Sequence, residues 1–409
     1  MDVRSKMTPA FQDARGGLFS SVEKADVGGS YQELAHRGVD LMGWADPFMP
    51  DRSIPDFVER AWVEAVRSDS APHYTAPVGS PTLKRVLAEK LARQNDLNVD
   101  PERNILVTPG SDSGLYYSIL PFVNPGDEVI IPSPCYPNNA LNVRIMGGVP
   151  VFVPLDEGSG YRLDASAIAS AVTSRTKMVL LTHPNNPTTT VFSREDLEGL
   201  CHVIIEHDLM LVVDQAFEDF TFGVEMVTPA SLPGMFERTV TVLSLSKGLG
   251  LSGMRVGYVV CDDRIMDALY ANAVSVIGAT STSAQCAAIA ALKSPSYMAE
   301  FERAYDLRRR YAFDRLNRVA GVHMDLPASG FLAWVNVSAL GSSSVIAEHL
   351  LEEARVSVND GVNYGPGGEG HLRMVLGVYR DDQRVFDAID RIAGALHALS
   401  LHKGSARAR

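Results

Sequence analysis

Five short, unbroken apolar runs set the tightest limit on how this chain can fold. They are Glu128–Ile131 (EVII), Met178–Leu181 (MVLL), Leu209–Val213 (LMLVV), Val240–Leu245 (VTVLSL) and Val256–Val260 (VGYVV). None keeps up the strict apolar–polar alternation of a strand with one wet face. Strands of this kind are covered on both faces, which happens when helices flank a mostly parallel sheet. The intervening segments supply helical spacing at Ser113–Val123, Ala165–Val172 and Ser193–His207. Ser193 followed by Asp196 is a capping-box pattern at the start of the last of these.

Beyond the sheet, Ser294–Ala320 reads as a long charged helix with an arginine cluster (LRRRY, Leu307–Tyr311). A smaller α+β region follows and ends in a helix near Gln383–Ser400. The expected architecture is therefore α/β, in two domains, as 409 residues allow. Residues 53–295 form a large domain, and residues 1–52 with 296–400 form a smaller α+β domain. Residues 401–409 (LHKGSARAR) read as a disordered tail.

Charge and cysteine usage narrow the function. The balance of 37 basic and 49 acidic residues leaves −12, which repels nucleic-acid backbones and anionic membrane surfaces. Small anions remain possible ligands where arginines and backbone N–H groups converge. Cys135, Cys201, Cys261 and Cys286 form no CxxC pair and no zinc-like cluster with histidine, so no metal site is expected. Such scattered cysteines fit a reducing compartment. Met1–Gly17 lacks the apolar stretch of a signal peptide, and no run approaches the ~18 apolar residues of a membrane span. The expected location is cytoplasmic.

Ligands of open α/β sheets bind at the carboxyl ends of strands. Four chemically suggestive residues fall there. Asn186 follows MVLL in His183-Pro184-Asn185-Asn186-Pro187-Thr188, Asp214 ends LMLVV, Lys247 follows VTVLSL, and Arg255 stands eight residues later. Singly, each has an ordinary structural reading: a turn, a cap, a solvated lysine. Their order and spacing, 28 residues from Asn186 to Asp214 and 33 from Asp214 to Lys247, resemble the pyridoxal-phosphate (PLP)-dependent aminotransferases of class I/II, the fold type I, aspartate-aminotransferase-like group. The resemblance also takes in Leu41-Met42-Gly43, His73–Gly79, Asn124–Glu128, Ser133-Pro134-Cys135-Tyr136 and Gly367–Arg373.

That resemblance implies a large domain with a mostly parallel seven-stranded sheet. It also implies transfer of an amino group between an L-amino acid and a 2-oxo acid, through a Lys247 Schiff base and a quinonoid intermediate. The chemistry of each position agrees. Only lysine offers an amine on a reaching stem, and once displaced it can move the Cα proton. Asp214 would keep the pyridine nitrogen protonated by opposite charge, and Asn186 would bond the ring's 3-oxygen. Gly110, Ser111 and Asp112 open the helix near Ser113 and would turn N–H groups to the phosphate. Ser244, Ser246 and Arg255 would complete the phosphate cup. Tyr136 matches the aromatic that stacks on the ring, although it also reads as a core residue. Arg373 would clamp the substrate α-carboxylate in bidentate fashion. Gly43 would lie where the N-terminal segment passes over the substrate. For Trp44 the resemblance gives no guidance: it walls the pocket or simply packs. Tyr74 would reach the phosphate of a neighbouring subunit, which implies a homodimer with composite sites.

Three departures from the family pattern stand out. Phe217 replaces a tyrosine that gives the 3-oxygen a second hydrogen bond. Thr189-Thr190 stands where NNPTG is usual, and Asn359-Asp360-Gly361 where Pro-Gly is commoner. His73 and His183 adjoin the motifs and read as structural; His202 and His207 read as solvated. Cys135 reads as a buried, inert thiol. A dicarboxylic substrate would need a further cation, often one from the neighbouring subunit, which the sequence does not assign among Arg303, Arg308, Arg309, Arg310 and the other arginines. Asp214, Ala216 and Phe217 together also resemble capreomycidine-synthase-like members, so β/γ-elimination, replacement or cyclisation is the alternative reading. Accumulation of pyridoxamine phosphate separates the two.

Overall fold

The computed structural model describes residues 2, 4–8 and 29–407. Residues 9–28 of the expected small domain, and with them much of Met1–Gly17, lie outside the described residues, as do the last two positions of the tail. In chain order the strands are β1 (Asp40–Leu41), β2 (Ile105–Thr108), β3 (Glu128–Ser133), β4 (Val149–Pro154), β5 (Thr176–Thr182), β6 (Met210–Asp214), β7 (Thr239–Ser244), β8 (Gly257–Val260), β9 (Leu332–Asn336), β10 (Val356–Ser357), β11 (Asn359–Asp360) and β12 (His371–Val375). Seven of them form one sheet in the order β2-β8-β7-β6-β5-β3-β4. Only β8 runs against its neighbours β2 and β7.

The apolar runs form strands because both faces of each find cover. In β6, Leu211 and Val213 join a core with Leu197, Leu200 and Ile204 of the helix Arg194–Glu206. Val212 faces the other way, into a core with Leu115 and Ile119 of the helix Ser111–Ile119. The pleat sends successive residues to opposite faces, so a continuous apolar run is what two covered faces require. The Ser193/Asp196 capping box is present and starts the helix Arg194–Glu206.

A second core gathers Phe301 and Tyr305 of the helix Met298–Leu316 with Leu332 and Val335 of β9, Leu372 and Met374 of β12, and Ile389 and Ile392 of the helix Asp382–Arg407. Its sheet has the antiparallel order β11-β12-β9. The N-terminal strand β1 pairs with β10, and its Asp40 is held by Arg384 and Arg391 of the last helix. That helix continues to Arg407. Gly404, at about 1 kcal/mol, does not end a helix otherwise rich in good helix formers.

Arg308 is fully buried and spends its whole guanidinium on structure. Nε pairs with Asp382 at 2.7 Å, while Nη1 and Nη2 donate to the carbonyls of Leu376, Val378, Tyr379 and Arg380 at 2.8–3.4 Å.

Candidate active site

The reversed direction of β8 concentrates function on one edge of the large sheet. The carboxyl ends of β2, β3, β5, β6 and β7 lie there, and so does the amino end of β8. Gly110 follows β2, Tyr136 follows β3, Asn186 follows β5, Asp214 ends β6, Lys247 follows β7, and Arg255 immediately precedes β8.

A cup forms where β2 meets β8. Gly110, at φ +84°, is the N-cap of the helix Ser111–Ile119 and turns its first N–H groups outward. A Cβ built on Gly110 would lie 2.3 Å from Nη2 of Arg255, and one on Gly257 would lie 2.6 Å from the Ser111 nitrogen. Both glycines are required by close approach. Arg255 itself takes a left-handed backbone and donates from Nη1 to the Ser252 carbonyl at 3.0 Å. Ser244 Oγ accepts from the Ser246 N–H at 3.1 Å, holding the loop that leads to Lys247.

Lys247 Nζ donates to the Ala45 carbonyl of the N-terminal segment. Burial holds its amine down at about 8; Asp46 and Asp112 pull it up, while Arg373 and Arg255 push it further down. Asp214 shows the opposite displacement. Burial raises its carboxyl to about 7, against a 3.1 Å hydrogen bond from the Ala216 N–H that favours the charged form. Phe217 is buried with its ring centroid 6.0 Å from Lys247 Nζ and packs edge-on against Phe331.

Asn186 and Arg373 come together, with Asn186 Oδ1 3.4 Å from Arg373 Nη1. Arg373 Nη2 donates to the Gly43 carbonyl at 2.8 Å and to Asn359 Oδ1 at 3.2 Å. Gly43 and the Asn359 turn thus meet at one guanidinium, which lies over the Tyr364 ring. Tyr136 is half-buried, and its hydroxyl donates to Asp112 Oδ1 at 3.2 Å. Burial holds the hydroxyl's pKa well above the ordinary range, with Asp112 and Asp214 adding to it.

Trp44 is exposed, and Tyr74 is fully exposed. His183 is buried between the Val227 carbonyl and the Phe192 N–H, and burial lowers it to about 4, which is a structural role. His202 and His207 are exposed. Cys135 is buried and pushed up to about 12 by burial. Thr189 sits at φ +66°, the left-handed region that glycine would occupy without strain. Among the arginines left open for a second carboxylate, Arg308 is excluded by its structural bonds, and Arg309 is engaged by Asp306 and the Pro327 carbonyl.

Sequence reasoning missed Ala45, Asp46 and Asn138. The first contributes a backbone carbonyl, which no residue type signals. Asn138 follows Tyr136 by two and bonds both Asp112 and the Tyr136 hydroxyl; its adjacency to the aromatic was the available clue.

Comparison with known proteins gives a consistent result. Residues 40–392 match the family model described as aminotransferase class I and II. The chain is 32% identical over 378 residues to the probable aspartate/prephenate aminotransferase of Aquifex aeolicus, covering 90% of this chain and 94% of that one. It is 31% identical to aromatic-amino-acid aminotransferase 2 of Thermococcus litoralis, covering 84% and 89%. A single mutant of Thermus thermophilus aspartate aminotransferase superposes with a TM-score of 0.85 at 29% identity, over 95% of this chain and 99% of that one.

Proposed function

The chain belongs to the aminotransferase class I and II family and is a PLP-dependent transferase, and from that premise we propose how its own residues hold the cofactor and move the amino group. The donor set fits PLP: a half-buried amine at Lys247, a buried carboxylate at Asp214, and an anion cup at Gly110, Ser111, Ser244, Ser246 and Arg255 that any side chain on Gly110 would fill. When bound, PLP supplies an aldehyde carbon that takes the amino group and a ring that withdraws electrons from the substrate Cα.

Lys247 is the attachment point. With its amine at about 8, roughly a tenth is neutral at pH 7, against well under a thousandth for an ordinary lysine. The neutral amine would be the group that holds the cofactor, its nitrogen taking the place of the aldehyde oxygen, which leaves as water; when freed from the cofactor it would be placed to carry the Cα proton. Asp214 would pair with the ring nitrogen, where a cation would offset the burial of its carboxylate and the carboxylate would favour a protonated ring. Tyr136 would cover one ring face, Asn186 would bond the 3-oxygen, and Phe217 would supply packing where a tyrosine would supply a bond. Arg373, oriented by Asn186, Asn359 and Gly43, clamps the α-carboxylate. Trp44 borders the pocket mouth.

We read 53–295 as the cofactor domain, and 1–52 with 296–400 as the domain bringing Arg373. The exposed Tyr74 supports a homodimer in which it reaches the partner's cup. The cytoplasmic location belongs to this proposal too. Among the described residues no helix is long and apolar enough to cross a membrane.

The carrying observation is the convergence of Lys247, Asp214 and Arg255 on one sheet edge with Arg373 facing them. The test is a half-reaction: PLP-loaded protein is mixed with single amino acids and no oxo acid. Formation of pyridoxamine phosphate with a 2-oxo acid supports transamination and names the donor. The elimination or cyclisation alternative is not favoured by the relatives; retained PLP with released ammonia or a cyclised amino acid would restore it.

A further inference from the structure

Asp112 puts a negative charge in a cup otherwise suited to an anion. It stands in the first turn of the helix Ser111–Ile119. Its Oδ1 accepts from the Tyr136 hydroxyl at 3.2 Å and from Asn138 Nδ2 at 2.9 Å, and Asn138 Nδ2 also donates to the Tyr136 oxygen at 3.1 Å. Tyr136 is the N-cap of the helix Pro137–Ile145 and Asn138 its second residue, so this triangle joins two helix starts across the cup. A neutral asparagine would accept the same two bonds. A carboxylate adds repulsion toward a phosphate dianion, a cost that the hydrogen bonds alone do not explain.

The charged groups around Lys247 come from every side. Asp46 lies on the N-terminal segment, Asp112 on the helix after β2, Asp214 at the end of β6, Arg255 before β8 and Arg373 on β12. The two arginines and burial act against a proton on Lys247; Asp46 and Asp112 act for it. Phe217 brings no hydroxyl to the same region.

We propose that Asp112 is a positioning residue that anchors the Tyr136 ring through its hydroxyl and, by its charge, helps keep the Lys247 nitrogen protonated. The inference rests on the PLP reading of the site. Its electrostatic part acts in the same direction as the missing tyrosine at 217, so the two features add.

The test compares Asp112→Asn, Asp112→Ala and Phe217→Tyr, singly and with Asp112→Asn combined with Phe217→Tyr. Three quantities are read: the pH midpoint of the visible absorbance of PLP-loaded protein, the PLP dissociation constant, and the melting temperature of the apoprotein. Asp112→Asn should lower the midpoint by about 0.5–1 unit and bind PLP at least as tightly as the parent. The double variant should show the sum of the two single shifts. Asp112→Ala should bind PLP several-fold more weakly than Asp112→Asn, because the Tyr136 anchor is gone. Should Asp112→Asn fold poorly, Asp112→Ser, whose hydroxyl also accepts a bond, gives the same charge comparison. A midpoint unmoved or raised in the neutral variants overturns the electrostatic role. Equal PLP affinity in the Asn and Ala variants overturns the anchor, and a change confined to melting temperature overturns both. Borohydride reduction and mass analysis of the parent separate this from the parent reading. With no PLP adduct on Lys247 the aminotransferase site itself fails; with the adduct present and the titration unmoved, only the role of Asp112 does.

Discussion

The Arg255 guanidinium occupies the space where a side chain on Gly110 would begin, 2.3 Å from the position a Cβ would take. The two residues are 145 apart in sequence (255 − 110) and meet only because β2 and β8 are neighbours. Gly110→Ala must therefore displace the arginine as well as strain a backbone at φ +84°. The PLP dissociation constant should rise by about tenfold or more, equivalent to about 1.4 kcal/mol. A fluorescence titration with PLP measures it, and an unchanged constant would remove Arg255 from the cup.

Asp214 predicts a pH-dependent penalty on the apoprotein. Folding raises its carboxyl from 3.8 to about 7. A raised carboxyl is at ease when protonated, so the penalty is absent below pH ~4, grows between ~4 and ~7, and is fully present above ~7. Asp214→Asn should stabilise the apoprotein at pH 8 by on the order of 2–4 kcal/mol and by much less at pH 5. Urea unfolding at the two pH values decides it. With PLP loaded the order should reverse, since the variant loses the partner of the ring nitrogen.

Phe217 lies beside Lys247, and Gly330 leaves room for its ring: a Cβ at 330 would sit 2.8 Å from Phe217 Cδ1. Phe217→Tyr restores a donor for the 3-oxygen and should lower the visible titration midpoint by about one unit. Superimposable titration curves would show that the hydroxyl does not reach the oxygen.

Thr189 is a β-branched residue at φ +66°, with its carbonyl accepting from the Ser329 hydroxyl at 2.8 Å. Left-handed backbone strains such a residue, and glycine relieves that at some entropic cost in the unfolded chain. Thr189→Gly should raise stability by about 0.5–1 kcal/mol with little effect on PLP affinity. A loss of stability in urea would mean that packing of the threonine side chain outweighs the strain.

Arg308 satisfies four carbonyls and one carboxylate from within the core. Arg308→Met leaves those acceptors buried without donors and should cost about 3–5 kcal/mol, measured by chemical denaturation. A cost under 1 kcal/mol would show that water replaces the guanidinium.

The central strands were legible because burial on both faces leaves an unbroken apolar run, as Leu211, Val212 and Val213 illustrate. The two strands outside that reading are the edges of the sheet, although β2 (Ile105–Thr108) carries an apolar run of its own. β4 carries Pro150 and Pro154 and is half-exposed, a composition that an edge tolerates and that hides a strand from pattern reading. β2 has only four residues and follows a short helix directly. At the site, Lys247, Asp214 and Asn186 were singled out by type and spacing and Arg373 by its match to the family pattern, and the structure brings Asn186 and Arg373 together. The Ala45 carbonyl was not, because a backbone acceptor is placed by the path of a loop and leaves no mark in residue identity. Nor was the side-chain direction of Asp112: its sequence position pointed to its N–H, while its carboxylate engages Tyr136.

The single reversed strand also has a consequence for the order in which the protein becomes competent. β2 and the helix it launches emerge early during synthesis, yet the anion cup has no arginine until β8 is made and inserted between β2 and β7. Every strand of the large sheet precedes that insertion in the chain. Long-range pairing of this kind is slow and comes late in folding. Cofactor capture should therefore act as a natural clock for the sheet: a nascent or truncated chain ending before Arg255 is expected to hold PLP poorly, and uptake of the cofactor is expected to follow the insertion of the last strand.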